Sequence, residues 1–118
     1  MSVDTIERDG IPIVQAFGEI DIYTAPEFEK ALDAAIVQTD RKLIVDLSHL
    51  SYIDSVGLAA LLQAHRRLSS QNKELIAVAV PRRSGVYRVL EISRFDQVFK
   101  VVSSIEEALG ETGLPKAA

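Results

Sequence analysis

The chain has no cysteine and no tryptophan. Without cysteine there are no disulfides, thiolate metal sites or thiol nucleophiles, and the composition suits a reducing compartment. Histidine is scarce, with His49 and His65 sixteen residues apart. No H-E-x-x-H motif or Cys/His set exists, so no metal site is expected. Neither G-x-x-x-x-G-K-[ST] nor G-x-G-x-x-G occurs, so no phosphate cradle and no nucleotide cofactor are expected. No apolar run approaches the roughly 20 residues of a membrane span. The opening M-S-V-D-T-I-E-R-D-G is polar and unlike a secretory signal. The expectation is a soluble, cytoplasmic chain with no membrane partner. Positive charge is also in deficit, with 13 Lys and Arg against 17 Asp and Glu, for a net charge of -4. Nucleic acid is therefore not an expected partner, since binding it relies on cations that neutralise phosphates. The clusters Pro81-Arg82-Arg83 and Arg66-Arg67 read as solvated helix ends.

What is present suits one domain. The 118 residues are 47% hydrophobic, and a domain of this size buries roughly two thirds of the surface its unfolded chain exposes. Val3 to Arg8 and Ile11 to Phe17 flank Asp9-Gly10, a hairpin turn signal because both central positions tolerate positive φ. Pro12 lacks a donor and places one of these strands at a sheet edge. Thr24 and Glu27 form a capping box with Pro26 in the first turn. Phe28, Ala31, Leu32, Ala35 and Ile36 then mark one face of a helix over about Ala25 to Val37. Leu43 to Leu47 reads as a buried strand and Ser48 to Ile53 as a loop. A second helix follows, burying Leu58, Leu61, Leu62, His65 and Leu68, and Gln71-Asn72-Lys73 ends it. His65 reads as a satisfied core or boundary residue.

Leu75 to Val80 is a further buried strand, closed by Pro81. Val86, Val89 and Leu90 mark a third helix, and Val98 to Val102 a last strand. Ser104 and Glu107 form a second capping box before a short helix that Gly110 stops. The order β-β-α-β-α-β-α-β-α predicts an α/β fold: a mixed, mostly parallel sheet with an N-terminal hairpin and about four helices. Residues 1–110 form the expected domain, and Glu111 to Ala118 a fraying tail.

The stretch S-Y-I-D-S-V-G-L-A-A-L-L, Ser51 to Leu62, puts Asp54, Ser55 and Gly57 at the mouth of a helix. Residue chemistry alone favours capping, yet two capping residues in tandem exceed what one helix needs. A serine nucleophile is a poor fit, because Ile53 stands where G-x-S-x-G requires glycine and no histidine base is evident. A phosphoaspartate receiver would need an acidic cluster for Mg²⁺, and Asp46 lies inside a strand. Phosphorylation of Ser55 would add about -1.5 to -2 charges where free helix N–H groups favour an anion. Gly57 would leave the first turn open to close approach.

Four blocks carry a family resemblance: G-E-I-D-I-Y-T-A-P-E-F, L-I-V-D-L-S-H-L-S-Y-I-D-S-V-G-L-A-A-L-L, R-V-L-E-I-S-R-F-D-Q-V-F and S-I-E-E-A-L. Together they resemble the STAS domain family, specifically the stand-alone bacterial anti-sigma factor antagonists, over about Val3 to Leu109. The resemblance implies that Ser55 is phosphorylated by an anti-sigma factor that is also a serine kinase. The unphosphorylated form would bind that anti-sigma factor and release a sigma factor, and a PP2C-type phosphatase would reset the switch. Asp21 would border the phosphosite with Asp54, Val56 and Gly57. Glu19, Tyr23, Leu58 and Ala59 would belong to the partner surface, core packing being the default for Leu58. No enzymatic activity is implied, and the kinase would hold the ATP. Val56 departs from the Ser or Thr that many relatives carry there. The alternatives are a STAS scaffold or lipid-transporter subunit without a sigma factor partner, and the phosphoaspartate receiver.

Overall fold

Asp9 and Gly10 both take positive φ, 55° and 77°, the two-residue turn that matches the twist of an antiparallel hairpin. They join β1 (Ser2–Arg8) to β2 (Ile11–Ile20), with Arg8 opposite Ile11 and Ser2 opposite Phe17. The remaining elements are α1 (Ala25–Val37), β3 (Lys42–Ile53), α2 (Ser55–Ser69), β4 (Glu74–Val78), α3 (Gly85–Ile92), a 3-10 turn (Phe95–Gln97), β5 (Lys100–Val102) and α4 (Ile105–Gly110). The computed structural model describes residues 1–78 and 85–110. The expected strand end at 79–80, the Pro81-Arg82-Arg83 cluster and the expected tail 111–118 lie outside the described residues.

The five strands run in the order β1-β2-β3-β4-β5. The first pair is antiparallel and the rest are parallel, as the element order predicts. β1 forms one edge, and Pro12 precedes the point, Ile13 opposite Ile44, where β2 begins to pair with β3. One face of the sheet contributes Val14, Ala16, Ile20, Val45, Leu47 and Ile53 to the main core, closed over by α1, α2 and α3. The other face packs Ile13, Ile44, Ile76, Val78 and Val102 against α4. Lys42, 2% exposed, holds α4 in place: its Nζ donates to the carbonyls of Ala108 and Leu109, each at 3.0 Å. A cation at a helix C-terminus satisfies carbonyls that have no partner within the helix.

Several local expectations are corrected. Ser48 to Ile53 is strand, not loop, because β2 continues to Ile20 and pairs with it through two register shifts, between Gln15 and Phe17 and between Gly18 and Glu19. These irregularities break the alternation that marks a strand in sequence. The last strand begins at Lys100, since the amides of Val98 and Phe99 bond back to the carbonyl of Phe95. In α2 the buried positions are Gly57, Ala60, Leu61, Ala64 and Leu68. Leu58, Leu62 and His65 are half-buried, because the inward stripe of the helix runs through Gly57, Leu61, Ala64 and Leu68 and leaves these three one position to its side. His65 tilts against Phe99 with ring centroids 5.9 Å apart. Its Nδ1 is buried without a hydrogen-bond partner among the described residues, so it is a boundary residue but not a satisfied one.

Candidate functional site

The parallel pair β2–β3 ends at Ile20 opposite Ile53, and the Asp54 amide donates to the Ile20 carbonyl at 3.1 Å. That bond delivers Asp54 to the start of α2 in extended backbone (φ -106°, ψ -172°). Its Oδ1 accepts from the amides of Val56 at 2.9 Å and Gly57 at 3.3 Å. Asp54 is therefore the N-cap, and its carboxylate satisfies two donors that have no partner within the helix. Ser55 sits at the first helical position and is exposed. Its hydroxyl makes no hydrogen bond among the described residues. The two capping candidates thus divide their work: Asp54 caps, and Ser55 presents a free hydroxyl beside a helix N-terminus.

Gly57 has a different role from the one expected. It is buried, and a Cβ there would lie 2.7 Å from Ile53 Cγ1 and 2.8 Å from Ile20 Cγ2. The missing side chain faces the core and lets the first turn of α2 settle onto the ends of β2 and β3. It opens no path for a ligand. Leu58 is half-buried and packs on the main core, whereas Ala59 is exposed. Ala59 and Val56 line a groove of about 230 Å³ between α1 and α2, which the ion pair of Arg67 with Asp33 borders.

The β2–α1 turn lies next to this helix mouth. Asp21 Oδ1 accepts from the amides of Tyr23 at 2.9 Å and Thr24 at 3.1 Å. These bonds, Thr24 first, lower the pKa of the Asp21 carboxyl from its ordinary value. The Thr24 hydroxyl accepts from the Asp21 amide and donates to the Glu19 carbonyl, both at 2.9 Å. The expected capping box with Glu27 therefore does not form, and Thr24 makes no side-chain cap bond. In the second box Ser104 Oγ does accept the Glu107 amide at 3.0 Å, while the Glu107 carboxylate reaches back to Ser103. Asp21 thus serves as the organiser of a turn that displays Ile22 and Tyr23, 64% and 88% exposed. Glu19 is exposed on the neighbouring strand end, opposite Tyr52, itself 49% exposed.

Ile22 and Tyr52 escaped the sequence reading. Ile22 looks like a strand residue in I-D-I-Y, and only the stop of β2 at Ile20 turns it outward. Tyr52 lies in the segment read as loop. The exposed apolar side chains Ile22, Tyr23 and Tyr52 and the acidic groups Glu19, Asp21 and Asp54 cluster at the ends of β2 and β3, around the start of α2.

Neither histidine serves Ser55. His65 lies ten residues along α2, about 15 Å of helix, and the His49 ring stacks on Phe17 at 4.8 Å. The Asp46 carboxylate is buried inside β3 and is occupied by Ser48 and Gln15. Among the described residues no group of three or more His, Asp or Glu could hold a metal ion, and no helix is long and apolar enough to cross a membrane. The arrangement sets an exposed hydroxyl among acidic groups and exposed apolar side chains.

Residues 2–108 match the STAS domain, and the chain belongs to that family. An anti-sigma-B factor antagonist of Staphylococcus aureus is 31% identical over 106 residues, covering 90% of this chain and 96% of that one. An anti-sigma-B factor antagonist of Listeria monocytogenes is 32% identical over 102 residues, covering 86% and 88%. The crystal structure of an anti-sigma factor antagonist from Mycobacterium paratuberculosis superposes with a TM-score of 0.86 at 26% identity, covering 96% of this chain and 94% of that one.

Proposed function

We propose that this chain is an anti-sigma factor antagonist whose binding is switched by phosphorylation of Ser55. In this reading the unphosphorylated protein binds a cytoplasmic anti-sigma factor that is also a serine kinase, and so releases a sigma factor. A PP2C-type phosphatase restores the hydroxyl, and the chain itself catalyses nothing. The observation that carries the reading is the division of labour at α2: Asp54 supplies the cap, so Ser55 can be modified without removing a structural hydrogen bond. The antagonist relatives, aligned over most of both chains, supply the partner class.

The switch follows from electrostatics. A phosphate on Ser55 would carry about -1.5 to -2 charges beside the acidic rim of Glu19, Asp21 and Asp54. The amides of Val56 and Gly57 already bond to Asp54, so the added charge would gain little from them. A partner that buried the neutral hydroxyl would meet a dianion without a counter-charge, which costs several kcal/mol. Glu19, Tyr23 and Ala59 form the surrounding contact surface with Ile22 and Tyr52. Leu58 mainly supports it from beneath.

The test is a pull-down from the source organism's lysate with wild-type, Ser55→Ala and Ser55→Asp baits, each weighed intact after recovery. The reading predicts capture of a kinase-type anti-sigma factor by wild-type and Ser55→Ala but not Ser55→Asp, with the mass of one phosphoryl group gained by wild-type alone. Equal capture by all three with no mass gain would reject it and favour a scaffold or transporter-subunit role.

A further inference from the structure

The outer edge of β1 has no strand beside it among the described residues. Such an edge presents a row of free N–H and C=O groups. The opposite edge, β5, is three residues long, whereas β1 is seven. β1 contains no proline, no lysine and no bulge, and its register with β2 is unbroken. Among the described residues charge is its one protection, and that charge is self-complementary. The two-residue hairpin makes Arg8 and Ile11 a hydrogen-bonded pair. The alternation then turns the backbone groups of Val3, Thr5 and Glu7 to the open edge. Asp4, Ile6 and Arg8 share the sheet face of Gln15, Ile13 and Ile11.

We propose that β1 pairs antiparallel with β1 of a second copy about a two-fold axis through Ile6, continuing the sheet across the dimer. Ile6, 40% exposed, then meets its own copy, and Asp4 of each chain lies opposite Arg8 of the other. These are non-hydrogen-bonded pairs, in which facing side chains are closest. Arg8 also bonds Glu106 at 3.1 Å, and a guanidinium has donors for both carboxylates. On the other face Thr5 lies opposite Glu7 of the second copy, beside a groove of about 330 Å³ between β1 and α1. A register shifted by two residues, centred on Thr5, would set Asp4 against Ile6 and Ser2 against Arg8 and lose both matches. One strand per copy makes a small interface, so the dimer is weak and transient. It leaves the start of α2 uncovered in both copies, so two Ser55 sites ride on one assembly.

Sedimentation velocity from about ten to several hundred micromolar tests the pairing. Wild-type is expected to shift from monomer to dimer, Ile6→Lys to stay monomeric, and Asp4→Arg to dimerise at least about tenfold less tightly. The double change Asp4→Arg with Arg8→Asp is expected to restore association. Circular dichroism of each variant checks that these exposed substitutions leave the fold intact. Because the chain has no cysteine, Ile6→Cys gives a unique probe of register and is expected to yield a disulfide-linked dimer on mild oxidation, with little from Thr5→Cys. Wild-type that stays monomeric throughout, undiminished association of Ile6→Lys, or preferential cross-linking of Thr5→Cys would overturn the proposal.

Discussion

A Cβ on Gly57 would fall 2.7 Å from Ile53 Cγ1, so the first turn of α2 rests on the end of β3 with no room for a methyl group. Gly57→Ala must displace Ile53 or lift the helix. Overpacking of this kind costs about 1–3 kcal/mol, measurable as a lower urea midpoint. Gly85→Ala is the comparison, since among the described residues nothing lies within 4 Å of a Cβ there, and its midpoint is expected to match wild-type or rise slightly.

The cap and the hydroxyl separate by substitution. Asp54→Ala removes the acceptor for the Val56 and Gly57 amides and is expected to cost about 1 kcal/mol. Asp54→Asn keeps an acceptor and is expected to lose less. Ser55→Ala removes a hydroxyl without a partner and is expected to fall within about 0.5 kcal/mol of wild-type. Equal losses for Asp54→Ala and Ser55→Ala in urea unfolding would contradict this division.

Asp21 gives a pH dependence of defined sign. Its carboxyl is held below the ordinary value of 3.8 by the amides of Thr24 and Tyr23. A carboxylate with a depressed folded pKa stabilises the fold fully above its unfolded value, and the contribution fades as pH falls from there through the folded pKa. Carboxyl NMR is expected to show Asp21 titrating below 3.8. The urea midpoint of Asp21→Asn is expected to fall less steeply than wild-type across that acid window and to show no difference in slope between pH 5 and 8.

Lys42 ties β3 to α4 through two carbonyl bonds. Lys42→Met keeps the aliphatic bulk and removes the donor. Hydrogen bonds to charged groups contribute about 1.5–3 kcal/mol, and a loss of that order is expected. Hydrogen exchange localises it: the α4 amides are expected to lose protection before those of β3 and β4.

Much of this architecture is legible in the sequence. The Asp9-Gly10 turn, the 3.6-residue periodicity of α1 and the apolar runs at Leu43 and Leu75 each carry a local signal. D-S-V-G marks the helix mouth. The missed features are those that arise only between elements. The extension of β3 beyond Leu47 depends on bulged pairing with β2, and its alternation is correspondingly broken. Thr24 has the spacing of a capping box, but Asp21, three residues earlier, competes for its hydroxyl. Gly57 reads as an open position in a helix turn until Ile20 and Ile53 close over it. Ile22 becomes a surface residue only because β2 stops at Ile20, and Tyr52, paired with Glu19, is exposed on a strand where the sequence showed only a loop.

The Ser55 switch is tested most directly by one comparison. The purified anti-sigma factor is titrated calorimetrically with unmodified protein, with the same protein phosphorylated on Ser55, and with Ser55→Ala. Tight, similar binding is expected for unmodified and Ser55→Ala protein, with a loss of about a hundredfold or more on phosphorylation, about 2.7 kcal/mol or more. Equal affinity of the phosphorylated and unmodified forms would contradict it.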